Sequence, residues 1–208
     1  ILFDGSNMFQ WTGNMTDHIM ENGNISVEPK NWEHSNLYTK SDYADFILRF
    51  EFQLTPHANS GIGIRAPAPV EGHPGYSGTE IQILDDDADI YKNLKPYQYH
   101  GSVYGVIAAK RGFLKPTGDW NYQEISVIGS KIKVILNGAT IVDGDMREAS
   151  KNGTIDGKNH PYLLRSSGRI GLLGHGDRVK FRNIRIKPIV NLSGNNKNEK
   201  ENNKKHEK

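Results

Sequence analysis

Residues 45–54 read DFILRFEFQL, with an apolar side chain at every second position. Phe46, Leu48, Phe50, Phe52 and Leu54 fall on one face of an extended chain, and Ile47, Arg49, Glu51 and Gln53 fall on the other. Period two sustained over ten residues specifies a half-buried strand, and its apolar face needs a second layer to cover it. Shorter runs repeat the pattern. Residues 61–65 put Ile62 and Ile64 inward, and residues 79–84 put Ile81 and Ile83 on one face and Glu80 and Gln82 on the other. Residues 122–128, 131–136, 169–173 and 178–187 also read as strands. Gly129 and Ser130 make a two-residue gap of hairpin type, and Asn137-Gly138 is the strongest short hairpin signal. No segment carries a helical stripe beyond a turn or two, and 22 glycines fit a chain of many turns and few long helices. The expected class is therefore all-β, a sandwich or a barrel.

Residues 190–208 break the pattern. They are rich in Asn and Lys and nearly free of apolar side chains, so they cannot bury enough surface to offset their ordering entropy. The expected organisation is one domain over 1–189 and a disordered tail over 190–208. Subtracting the tail's five Lys and three Glu from 26 basic and 24 acidic residues leaves 21 of each sign, so the body is formally neutral. A basic nucleic-acid footprint is not supported. No run reaches the ~18 apolar residues of a membrane span, and the polar start (Asp4, Ser6, Asn7) does not read as a signal peptide. The absence of cysteine removes disulfides, thiolate catalysis and Cys-based metal sites.

Three long connections, 66–78, 86–103 and 143–167, exceed the usual loop length and are expected to wall a binding site. Within the strands, Glu80, Gln82 and Asp85 are the sharpest local feature. Glu80 and Gln82 point the same way, while Asp85 points oppositely unless a bulge or the strand end re-aims it. With Asp86, Asp87 and Asp89 they read either as an acid/base or cation-binding patch or as a solvated outer face. Arg65 is placed to meet Glu80 across neighbouring strands, as a substrate contact or as a salt bridge. His175, flanked by Gly174 and Gly176, is accessible and suited to proton transfer, and His100 is a second candidate in an aromatic, glycine-rich segment. His18, His34, His57, His73, His160 and His206 default to the surface. Trp11, Trp32, Trp120, Tyr97, Tyr99 and Tyr104 are candidates either for stacking on sugar rings or for the core. There is no GxSxG elbow, phosphate loop, dinucleotide fingerprint or HExxH pair.

Five ordered blocks resemble one known family. They are Leu2-Phe3-Asp4-Gly5 with Trp11; Asn59-Ser60-Gly61-Ile62 with Arg65; Glu80-Ile81-Gln82-Ile83-Leu84-Asp85; Gly118-Asp119-Trp120-Asn121 followed by Asn137-Gly138; and the stretch from Gly171 through His175 to Arg185. Together they span about residues 1–188, and the family is the 3-keto-disaccharide hydrolases. The resemblance implies a concanavalin A-like jelly-roll sandwich of two antiparallel sheets. It also implies an oxidised glycoside substrate with a ketone at C3, a sugar 3-oxidoreductase acting upstream, and a periplasmic or cell-surface lipoprotein location. Glucanases of that fold carry a Glu-x-Asp-x-x-Glu strand motif. Here the same spacing reads Glu80, Gln82 and Asp85, which weakens an ordinary two-carboxylate mechanism.

A ketone at C3 acidifies the C2 proton, so cleavage by elimination and rehydration needs a base, an enolate stabiliser and an acid. The expected casting is His175 or Glu80 as base and Arg65 or a divalent cation as stabiliser. Asp85 would hold the cation or protonate the leaving group. Gln82, His100, Tyr104 and Trp120 would be substrate contacts. A cation, if there is one, would take Glu80, Asp85 and His175 as ligands. The rival classes are a non-catalytic carbohydrate-binding module on the same sandwich and an ordinary glucanase. Convergence of Arg65, Glu80, Asp85 and His175 in one pocket favours the enzyme, and dispersal favours the binding module.

Overall fold

The structure, a computed structural model, describes residues 1–28, 35–67 and 78–190. The expected disordered tail, apart from Val190, lies outside the described residues, as do residues 68–77 of the connection 66–78 expected to wall a site, and Trp32, His34, His73 and His206. Twelve strands are described: β1 (Trp11–Gly13), β2 (His18–Glu21), β3 (Asn24–Val27), β4 (Ser35–Thr39), β5 (Phe46–Leu54), β6 (Asn59–Ala66), β7 (Thr79–Leu84), β8 (Trp120–Ile128), β9 (Lys131–Leu136), β10 (Ala139–Asp145), β11 (Arg169–Gly174) and β12 (Val179–Pro188). They form a seven-stranded sheet in the order β10-β9-β8-β5-β12-β3-β2 and a five-stranded sheet in the order β1-β4-β11-β6-β7, and all the named pairings are antiparallel. The molecule is an all-β sandwich of the jelly-roll, concanavalin A-like kind. Helix among the described residues is limited to α1 (Met146–Ser150) and two short 3-10 turns, Asp89–Tyr91 and Pro96–Gln98.

The period-two face of β5 makes the middle of the core. Phe46, Leu48, Phe50, Phe52 and Leu54 are all buried and pack with Phe181, Ile125 and Val127 from the flanking strands and with Ile62, Ile64, Ile81 and Ile83 from the opposite sheet. The β9–β10 hairpin turns on Asn137 (φ 49°) and Gly138 (φ 91°), the pair of positive φ angles that a tight primed turn requires. Strands β1 to β4 lack the long alternation of β5. Their segments run three to five residues, too few for a period to stand out, and β3 and β4 are buried along their whole length although Asn24, Ser26, Ser35, Asn36 and Thr39 are polar.

β6 and β7 differ from β5 in one respect that positions the site. β5 alternates buried and partly exposed residues, whereas β6 is buried from Ser60 to Ala66 and β7 is buried except at Glu80. The outer face of this sheet is covered by chain returning from the long connections. Gln82 N donates to Ser102 O (3.0 Å), Gly101 N to Gln82 O (2.8 Å), and Tyr104 N to Glu80 O (3.0 Å). The 86–103 connection therefore runs along the free edge of β7 and folds over the face that carries Glu80 and Gln82.

Candidate functional site

Alternation along β6 and β7 sets Asn59, Gly61, Glu80 and Gln82 on the covered outer face. In the register, Gly61 lies opposite Gln82 and Gly63 opposite Glu80. Gly61 matters because it has no side chain: a Cβ there would stand 2.0 Å from Glu80 Oε1. The Glu80 carboxylate thus lies across β6, over the glycine, and reaches the end of β11. There His175 follows Gly174, and its Nε2 stands 2.9 Å from Glu80 Oε1. The Glu80 side chain is 15% exposed and that of His175 37%, so the pair is sheltered but open on one side.

The pair faces a cavity of about 340 Å³ lined by Asn59, Glu80, Gln82, Leu84, Tyr91, Leu94, Gln98, Tyr104 and His175. Burial opposes charge on His175, but the hydrogen bond it donates to Glu80 and the charges of Glu80 and Asp177 outweigh it and hold the imidazole above its ordinary pKa of 6.5. Gln82 Nε2 donates to Asn59 Oδ1 (2.9 Å), which leaves the Asn59 amide N–H groups for a ligand. Gln98 Nε2 donates to the Tyr104 hydroxyl (2.9 Å), so that oxygen is an acceptor there and its own proton is free to be given to a ligand. The site therefore combines a carboxylate–imidazole pair, neutral hydrogen-bond donors and apolar walls from Leu84 and Leu94.

Of the eight residues expected from the sequence, the cavity brings together Glu80, Gln82, Tyr104 and His175. The other four stand elsewhere, for definite reasons. Arg65 does not meet Glu80. A bulge between β6 and β11 and a left-handed backbone at Arg65 (φ 47°) turn its guanidinium to Ala44 O (2.8 Å), Gly129 O (2.7 Å), Arg165 O (3.0 Å) and Asp45 Oδ1 (3.0 Å), buried to 5% exposure. Asp85 keeps the opposite orientation from Glu80 and Gln82: its carboxylate accepts from His57 N (2.9 Å) and Thr117 Oγ1 (3.2 Å). The set Glu80, Asp85, His175 therefore does not assemble as cation ligands, and among the described residues no cluster of three or more His, Asp or Glu suited to a metal occurs. His100 is in the core. It stacks on Phe52 (5.1 Å between centroids), its Nε2 bonds Gln123 Oε1 (2.9 Å) and its Nδ1 accepts from Leu84 N. Burial pushes its pKa down to about 4, against the Gln123 hydrogen bond. Trp120 is on β8, on the outer face of the other sheet, under the Arg182 guanidinium at 3.9 Å.

Two of the four groups whose convergence would mark an enzyme thus meet, and two do not. His18 is buried and His160 is half-buried with its Nε2 at hydrogen-bond distance from Asp156, so neither is the simple surface residue expected. Asn59, named above only as part of a family block, and Tyr91, Leu94 and Gln98 are site residues that the sequence does not cast in a role. Period two places Asn59 on the face of Gly61 and Gly63, a signal that was available. The other three come from the 86–103 connection, which the sequence marks only as long.

A family model for the 3-keto-alpha-glucoside-1,2-lyase-like domain matches residues 1–187. The chain is 26% identical to a 3-keto-disaccharide hydrolase of Bacteroides thetaiotaomicron, an alignment covering 90% of this chain and 77% of that protein. A crystal structure from Parabacteroides distasonis, described provisionally as a glycosyl hydrolase, superposes with a TM-score of 0.75 at 30% identity, covering 88% of this chain and 96% of that one. Carbohydrate-binding module CBM66 of Bacillus subtilis shares the fold alone, with a TM-score of 0.54 at 12% identity over 87% of this chain and 97% of the module.

Proposed function

The chain belongs to the 3-keto-alpha-glucoside-1,2-lyase-like family, and from that premise we propose that it cleaves 3-keto-glycosides by elimination and rehydration. The observation that carries this reading is the 2.9 Å contact between His175 and Glu80 inside a cavity of sugar-ring size. Glu80 holds the Nε2 side of the imidazole and supports its positive charge, as a carboxylate does when it orients a catalytic histidine. His175 takes the C2 proton. The electron pair released at C2 is delocalised on to the C3 oxygen, next to the Tyr104 hydroxyl and the Asn59 amide, which donate to it. As the C3 carbonyl re-forms, a C1–C2 double bond forms and the C1–O bond breaks. The leaving oxygen takes the electron pair of that bond and a proton; water then adds across the double bond, its oxygen going to C1 and its spare proton replacing the one the leaving alcohol took, and His175 returns a proton to C2. Neutral donors suit a charge that exists only during the reaction, and the role expected of Arg65 passes to them.

The ketone has to be made before the bond is broken, so this activity depends on an oxidation at C3 of an ordinary glycoside by a separate enzyme. The test is incubation with a 3-keto-disaccharide and with its unoxidised parent, with and without chelator. Cleavage of the keto form alone supports the reading. Cleavage of the parent would replace it with an ordinary glycosidase. Saturable binding without cleavage would replace it with a carbohydrate-binding module. Chelator sensitivity would add a cation to the enolate side of the site.

A further inference from the structure

Beside the main cavity lies a second one of about 140 Å³, lined by Gly78, Thr79, Glu80, Tyr104, Val106, His160 and Leu163. Glu80 and Tyr104 line both, so the two are neighbouring compartments of one groove, with the His175–Glu80 pair in the first. The second has its own carboxylate–imidazole pair. His160 Nε2 lies 3.1 Å from both oxygens of Asp156. The Asp156 side chain is 2% exposed and that of His160 22%.

This pair is built in rather than incidental. Asp156 Oδ1 also accepts from Thr154 Oγ1 (2.8 Å) and Lys158 N (3.0 Å), and Asp156 N donates to Gly105 O (3.3 Å). These contacts fix the carboxylate. Burial raises its pKa, but the hydrogen bonds from Lys158, Thr154 and His160 prevail and hold it below the ordinary value. Gly105 (φ +75°) allows the approach: a Cβ there would stand 2.3 Å from Asp156 Oδ2 and 2.9 Å from the His160 ring. With Nε2 committed to Asp156, Nδ1 is the ring nitrogen that makes no hydrogen bond among the described residues. The 143–167 connection brings this pair to the same groove that the 86–103 connection walls.

Resting on the reaction proposed above, we infer that the second compartment holds the leaving group, a sugar or another alcohol, and that His160 is the acid that protonates its oxygen. As the C1–O bond breaks, its electron pair passes to the leaving oxygen, which takes the Nδ1 proton of the His160 imidazolium and departs as a neutral alcohol. Water then attacks C1 and gives a proton to Nδ1, which restores the imidazolium. The C2 proton shuttles through His175 and the leaving-group proton through His160, and the sum is addition of one water across one glycosidic bond. Asp156 is a positioning residue for His160.

The test compares two substrates, a 3-keto-disaccharide, whose leaving sugar needs protonation, and 4-nitrophenyl 3-keto-glucoside, whose leaving phenolate does not. In His160→Gln the ratio of kcat/KM for the aryl substrate to that for the disaccharide is expected to rise about 100-fold or more, the lower end of what one general acid contributes. Asp156→Asn is expected to raise the same ratio by less, and both proteins are checked for folding by thermal melting. A purely structural role would lower both activities together and leave the ratio unchanged. An unchanged ratio in folded His160→Gln, or in folded Asp156→Asn if the first variant does not fold, overturns the assignment while the proposed reaction stands. A wild-type protein inert towards both keto substrates overturns the reaction itself and the role of His160 with it.

Discussion

Glu80 and His175 are a coupled unit, and the pair has a signature apart from activity. The folded-state pKa of His175 is raised above 6.5, so the pair contributes its stability in full below about pH 6.5 and loses it as the pH rises through the folded value. The melting temperature of Glu80→Gln should therefore fall further below wild type at about pH 6 than at about pH 9, and equal deficits would contradict the pairing. In turnover, Glu80→Gln and His175→Ala should each cost about 10²–10⁴-fold, measured on a 3-keto-disaccharide. Asp86 has the same sign by another route. Burial raises its pKa from 3.8 to about 6, despite the His100 backbone N–H and Arg111 beside it. A protonated Asp86 favours the fold below about pH 4, and that advantage disappears as the pH rises through about 6. Asp86→Asn should gain on wild type by up to about 3 kcal/mol between about pH 4 and pH 7.5, read from urea unfolding at both. Sequence alone shows Asp86 as one of a row of acidic residues. That it is buried where the His100 N–H and Arg111 meet it is a tertiary fact.

At the level of elements, the site depends on β6 being thin where β7 is thick. Gly61→Ala sets a methyl group where the Glu80 carboxylate lies, and the obstructed atoms are the far end of a flexible side chain. The fold should survive while turnover falls as it does in Glu80→Gln; a melting curve and an assay on the same sample check both. Arg65 serves the elements rather than the chemistry. It ties the start of β5 and the β8–β9 turn to the 143–167 connection through four acceptors. Arg65→Ala leaves those carbonyls and Asp45 without the guanidinium, at a cost of about 3–5 kcal/mol by denaturant unfolding. The sequence correctly groups Glu80 with Gln82 because both follow the regular pleat. It misplaces Arg65 because one bulge and one left-handed residue end the regular alternation, and neither leaves a trace in residue type: Arg is not a residue that advertises positive φ.

Across the whole molecule, β5, β8 and β9 are legible because their alternation mirrors a sheet with one face buried and one partly open, while β6 and β7 are legible from the alternating isoleucines of their core face although their outer face is covered too. β1 to β4 are obscured, since strands of three to five residues are too short for an alternation to stand out from chance. The two sides of the groove come from connections 86–103 and 143–167, whose lengths are visible in the sequence and whose paths are not. His100 illustrates the limit: an aromatic, glycine-rich setting suits a binding site and a packed core equally, and only the arrangement of the sheets decides between them. His175 and Glu80 are 95 residues apart, so their contact depends on β11 lying beside β6.

The central claim, cleavage through loss and return of the C2 proton, is tested most directly by running the reaction on a 3-keto-disaccharide in D₂O. The released keto sugar is then examined for deuterium at C2, against the exchange of 3-keto-glucose alone. The account predicts deuterium at C2 well beyond that background, lost together with cleavage in His175→Ala. Cleavage at full rate with hydrogen retained at C2 would contradict it and point to direct displacement at C1.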